Sequence, residues 1–232
     1  MNEVPSSSAQ VLALMRLTWT RAFRGKALFV CFFIALAPIL IGFALRTRHE
    51  AGDAVAAAEL IAMTLLSPVF VSASIGDEIE DRTSTYLWSR PLGRWVTIVG
   101  KLLALAPIAM ILVVIGYNLA MLLGTQGFPP VRSTLAFAAG AATVSTMSAG
   151  IATLVPRFGM ALAIAYIVLF DTGIGLIPAS LQTISVTHQV RLLSGLAPLG
   201  EGSAIVGPLV MMVILGAVWL AIGLWRVRRL ES

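Results

Sequence analysis

Six stretches of this chain run for about twenty largely apolar residues each, the length that one bilayer crossing demands. They cover residues 27–45, 55–75, 97–123, 134–155, 158–178 and 205–225. In hydrocarbon every backbone N–H and C=O must be satisfied within the segment, so each stretch reads as a spanning α-helix. Composition points the same way. The chain has 232 residues, of which 58% are hydrophobic and only 12% charged, where soluble domains carry roughly 25% charged residues. The expected architecture is a single all-α transmembrane domain over residues 1–232 with six spans. Pro156 and Arg157 alone separate the fourth and fifth windows, which should form a tight hairpin. The third is long enough to tilt or to project from the bilayer. Pro38, Pro68, Pro107 and Pro208 fall inside windows and mark kinks whose freed carbonyls need neighbouring partners.

An even number of spans puts both termini on one side, and the basic residues indicate which. With the N-terminus inside, the inner segments hold Arg16, Arg21, Arg24, Lys26, Arg82, Arg90, Arg94, Lys101, Arg157, Arg226, Arg228 and Arg229, and the outer ones hold Arg46, Arg48, Arg132 and Arg191. Twelve of the sixteen Lys and Arg residues then lie inside, as the positive-inside rule requires. Trp19, Trp88, Trp95 and Trp225 cluster at the same boundary, where indoles are favoured. This asymmetry accounts for the net charge of +5 as a topology signal, and no nucleic-acid partner is expected. The polar start, MNEVPSSSAQ, argues against a cleavable leader. Cys31 has no cysteine partner, which excludes a disulfide, and His49 and His188 lie in different polar segments, so no metal site is expected.

Two segments outside the spans read as surface helices. Over residues 10–26, Leu12, Met15, Trp19 and Phe23 recur at three- and four-residue steps with Arg16, Thr20 and Arg24 on another face, which suits an interfacial helix in the inner headgroup layer. Residues 179–204, interrupted by Gly195 and Pro198, should form one or two short helices resting on the outer surface.

The inner loop between spans two and three carries most of the information. It reads GDEIEDRTSTYLWSRPLGRWVTIVGK from Gly76 to Lys101. Asp77, Glu78, Glu80 and Asp81 open a short helix, where the amide dipole favours negative charge. Ile79, Thr83, Tyr86 and Leu87 follow at helical spacing and give a face for a partner or the membrane edge. Pro91 biases Arg90 away from helical geometry, so the chain turns at Ser89-Arg90-Pro91 before the next helix starts. An acidic-then-basic helix–turn–helix held between two spans suits force transmission to a soluble partner.

This run resembles the first cytoplasmic loop of ABC-2-type ABC transporter permeases. Glu78 and Glu80 match the acidic start of that pattern, Thr83 its threonine, Leu87 its leucine, Ser89, Arg90 and Pro91 its turn, and Arg94, Gly100 and Lys101 its re-entry into the third span. The resemblance rests on about 25 residues and on an architecture of interfacial helix, six spans and outer excursion. It implies that residues 77–94 form a coupling helix docked in a separate ATPase subunit, with Asp77, Asp81 and Arg94 beside the residues already named. It further implies a second permease copy, export across a bacterial inner membrane, cytoplasmic termini, and ATP and Mg bound only on the partner. Consistent with that, this chain offers no P-loop. At Gly100-Lys101, Trp95 and Leu102 stand where a phosphate loop needs glycine and Ser or Thr.

Asp171 in IVLFDTGIGLIP is the carboxylate read as lying well inside a span, a candidate for the translocation path or for a structural hydrogen bond to the bundle. Asn118 is a weaker path candidate beside Tyr117. Glu59, placed near the outer end of span two, is expected to pair with Arg46 or Arg48 or to reach the headgroups. Thr134, Ala138, Ala142, Thr146 and Gly150 form a ridge of small residues for close helix packing, against another span or a second subunit. Two other functions compete. A membrane component of an ABC-like machine doing mechanical work without transport would carry the same loop. An intramembrane enzyme would need a second spanning aspartate, a spaced aspartate cluster, HExxH or GxSxG, none of which the sequence contains.

Overall fold

The computed structural model describes residues 7–46, 48–72, 74–75, 94–177, 180–196 and 205–229. Every regular element among them is helical. Helix α1 is Ser7–Arg24, α2 Lys26–Ala44, α3 Ala51–Ser67, α4 Arg94–Thr125 and α5 Val131–Leu154. Helices α6 (Gly159–Ala165) and α7 (Thr172–Leu176) flank a π-helical turn over Tyr166–Asp171, and α8 (Val186–Ser194) and α9 (Val206–Arg229) complete the chain. A second π-helical turn, Pro68–Ser72, extends α3, where Pro68 cannot supply the amide that a regular helix needs. Six helices are long and apolar enough to cross a membrane: Lys26–Ala44, Ala51–Ser72, Trp95–Thr125, Val131–Leu154, Gly159–Leu176 and Val206–Arg229. The protein is a multi-pass membrane protein. The 3-10 turn Pro156–Phe158 makes the expected hairpin between the fourth and fifth spans.

Helix α5 is the central post, with 72% of its spanning window buried against 22% for α2 and for α9. Phe137, Ala141, Val144 and Met147 from α5 meet Met63, Leu66 and Phe70 from the α3 segment and Ala109, Val113 and Tyr117 from α4. Without a hydrophobic difference between lipid and helix surface, close packing of small residues and hydrogen bonds hold such a bundle. Both are present. A Cβ on Gly124 would lie 3.3 Å from the Cα of Gly42, so α2 and α4 touch backbone to backbone. The small ridge of α5 meets the last span: a Gly216 Cβ would stand 3.1 Å from Thr146 Oγ1, and a Gly223 Cβ 3.4 Å from the Cα of Gly150. That half of the ridge is consumed inside the subunit. Ser67 and Ser72 donate to the carbonyls of Ala141 (3.4 Å) and Ser148 (3.1 Å), and Thr143 donates to the Met212 carbonyl (3.3 Å).

The bundle has two distinct ends, here called the base, which carries α1, and the crown, which carries α8. Along α1 the side chains of Leu14 and Thr18 are buried, whereas Leu12, Trp19 and Phe23 are exposed. Of the stripe that the periodicity picks out, Leu12 and Phe23 face outward, Met15 packs against the core and Trp19 reaches α4 with its indole N–H, while the neighbouring face packs on α4. At the crown the structure corrects the expected surface helix. Val186, Thr187, His188, Gln189, Val190 and Leu193 of α8 are all buried, because Val190 fills the space left by Gly140 of α5. The spacing Val186–Val190–Leu193 supplies an apolar face for one neighbour, and the intervening polar residues find partners inside. The Gln189 amide nitrogen, for instance, donates to the Thr183 carbonyl at 2.7 Å.

Candidate functional site

At the base, Asp77, Glu78, Glu80, Asp81, Thr83, Leu87, Arg90 and Pro91 lie outside the described residues, and Arg94 opens α4. The ends from which the loop is slung are described. Lys101 is 2% exposed, and its ammonium donates to the carbonyl of Ser74, one residue short of where the described part of the α3 side stops. A buried ammonium needs such acceptors to offset lost hydration. Gly100 allows α1 to approach, since a Cβ there would be 3.2 Å from Leu14 Cβ. One turn further along α4, the Trp19 indole N–H donates to the Ala104 carbonyl at 2.7 Å. Three elements are thus tied together within about three turns of Arg94, where α4 begins.

At the crown, Asp171 is 5% exposed and hydrogen-bonded through both oxygens. Oδ1 accepts the Val186 amide at 2.8 Å, and Oδ2 accepts the Thr187 amide at 2.9 Å and the Ser185 hydroxyl at 3.3 Å. The Thr187 hydroxyl donates to the main-chain carbonyl of Asp171 at 3.4 Å. Helix N-termini present unsatisfied N–H groups that welcome negative charge, and Asp171 meets those of α8 across 15 residues of chain. Ser185 adds a local cap, its hydroxyl oxygen accepting the His188 amide at 3.1 Å. The π-turn ending at Asp171 sets the direction of this side chain, and the Thr172 hydroxyl donates five residues back to the Ile167 carbonyl at 3.1 Å. Asp171 sits as a clasp between the fifth span and the crown helix.

Asn118 is half-buried and its amide donates to the Val114 carbonyl at 2.7 Å, a bond within its own helix. Glu59 departs from expectation. It lies eight residues in from Ala51, about 12 Å along the helix axis at 1.5 Å per residue. It is 0% exposed, and neither carboxyl oxygen has a hydrogen-bond partner. The expected pairing with Arg46 or Arg48 does not form. Those two arginines instead line a crown cleft of about 380 Å³ with His49, Gly124, Thr125 and Gln126. The physical reason is helical phase: Ala51, Val55, Glu59, Met63 and Leu66 recur at three- and four-residue steps and are all buried, so Glu59 points into the bundle with them. That repeat was the available signal. Arg132, also at the crown, is spent on the C-terminus of α8, donating to the carbonyls of Leu193 (2.6 Å) and Leu192 (3.0 Å).

No model of a known protein family matches the chain, and no curated protein matches it. The functional reading therefore stands on the residues themselves.

Proposed function

We propose that this chain is the membrane-spanning permease subunit of an ABC-2-type transporter, working as a pair of permeases with two separate ATPase subunits. The observation that carries this reading is the run from Gly76 to Lys101, slung between helix ends that a buried lysine ties together. A lever moves its load only if its fulcrum is stiff, and the Ser74–Lys101 and Trp19–Ala104 bonds supply stiffness at that point. On this reading the loop faces the cytoplasm of a bacterium, α1 lies in the inner headgroup layer, and Asp77, Glu78, Glu80, Asp81, Thr83, Leu87, Arg90, Pro91 and Arg94 contact the ATPase. ATP and Mg bind to that partner, and movement of the loop drives the spans that export cargo. Asp171 then holds the crown helix to the fifth span.

The test is co-expression of the full chain with an ABC ATPase encoded beside it. The two should co-purify, with ATP hydrolysis stimulated by the permease. Glu80→Lys and Arg90→Glu should abolish that stimulation while leaving the thermal unfolding of the membrane subunit unchanged. Normal coupling in a chain whose residues 77–94 have been scrambled would sink the assignment. Stimulated hydrolysis without flux of any cargo into sealed vesicles would move the chain to the mechanical, non-transporting class.

A further inference from the structure

We propose that Glu59 is a proton-binding site inside the bundle, occupied when α2, α3 and α4 are packed as they are here. The inference is independent of the permease reading. Its starting point is a carboxyl group with no exposed surface and no hydrogen-bond donor on either oxygen. A bare carboxylate in that position has lost its hydration and gained nothing, a condition that folded proteins avoid by supplying a counter-charge or a proton.

The surroundings decide between the two. On α4, Tyr117 follows the Gly116 that Glu59 borders, and a phenol supplies no counter-charge. Lys101, on the same helix, is engaged with Ser74 at the base. On α2, the Cys31 thiol is directed to the Leu66 carbonyl, 3.8 Å away. On α5 the one charged side chain is Arg132, held by the α8 carbonyls. Asp53 of α3 carries the same sign as Glu59 and cannot serve as its counter-charge. A metal cation is equally ill served, since calcium takes six or more oxygen ligands and the described residues hold no group of three or more His, Cys, Asp or Glu.

A proton needs only one acceptor for the O–H it creates, and the neighbouring helix offers carbonyls. Where a Cβ on Gly116 would lie, the Ala35 carbonyl oxygen is 3.3 Å away and Glu59 Oε2 is 3.4 Å away, so both groups border the same glycine. One residue before Ala35, the carbonyl of Ile34 lacks its helical donor because Pro38 has no N–H. Protonation converts one carboxylate oxygen to an O–H donor facing α2, with no other bond made or broken. The bundle packed in this way therefore holds a proton at Glu59.

The experiment is infrared spectroscopy on the full-length chain in lipid nanodiscs at neutral pH. A protonated-carboxyl C=O band is expected, shifted in D2O, retained in Asp171→Asn and absent from Glu59→Gln. The glutamine variant, a neutral group of the same shape, should fold with an unfolding midpoint moved by no more than about 2 °C. Absence of a Glu59-dependent acid band from the folded chain overturns the proposal. Failure of Glu59→Gln to fold overturns it as well, because the site would then require the anion.

Discussion

Asp171 and Glu59 are both carboxylates enclosed by spanning helices, and they are enclosed in opposite ways. Asp171 draws two backbone amides and a hydroxyl onto its oxygens, all from a helix start that would otherwise leave donors bare. Glu59 faces Gly116 and has no donor at all. The first is a carboxyl group whose acceptor oxygens the architecture fills. The second is a group that the architecture tolerates only with something added. Burial alone does not distinguish them; what the neighbouring backbone offers does.

That contrast can be broken by substitution. Asp171→Ala should have the largest effect, because it leaves the Val186 and Thr187 amides bare in the interior. About 3 kcal/mol of destabilisation is expected from two orphaned donors, read as a lower unfolding midpoint in detergent and faster proteolysis of residues 180–196. Asp171→Asn keeps one acceptor oxygen and turns an N–H toward donors, so about 1–2 kcal/mol should be lost by the same measurement. Ser185→Ala removes the cap on the His188 amide and the long hydroxyl bond to Asp171, and should cost about 1 kcal/mol. Glu59→Gln should cost least, within about 0.5 kcal/mol, since it removes no hydrogen bond seen in the structure. If Glu59→Gln proved as damaging as Asp171→Asn, the two carboxylates would be alike and the distinction would fail.

The spans were legible in the sequence because the bilayer sets their length, and each apolar window coincides with a helix to within a few residues. The ridge from Thr134 to Gly150 was legible as a packing surface too, but one chain's sequence does not say which helix will lie on it. What escaped sequence reading depends on contacts between distant residues. The burial of α8 follows from Asp171 meeting amides 15 and 16 residues away and from Gly140 receiving Val190. Nothing local to residues 179–204 announces either contact. Distance from the end of the span is a poor guide to Glu59, whereas its phase with Val55 and Met63 settles where it points. On α1 the exposed apolar stripe was evident, yet the packed face of Leu14 and Thr18 depends on Gly100 lying opposite.

The π-turn at Pro68–Ser72 has a consequence for the loop that follows. Such a turn accommodates one residue more than a regular helical turn. Deleting a single residue there would restore regular winding and leave the helix beyond it nearly in phase, whereas deleting one from a regular turn would swing everything downstream by about 100° around the helix axis. The turn thus lets the Ser74 carbonyl keep its aim at Lys101 despite the extra residue. Residues 68–72 act as the slack ring of this protein, absorbing a residue without changing the bearing of the helix.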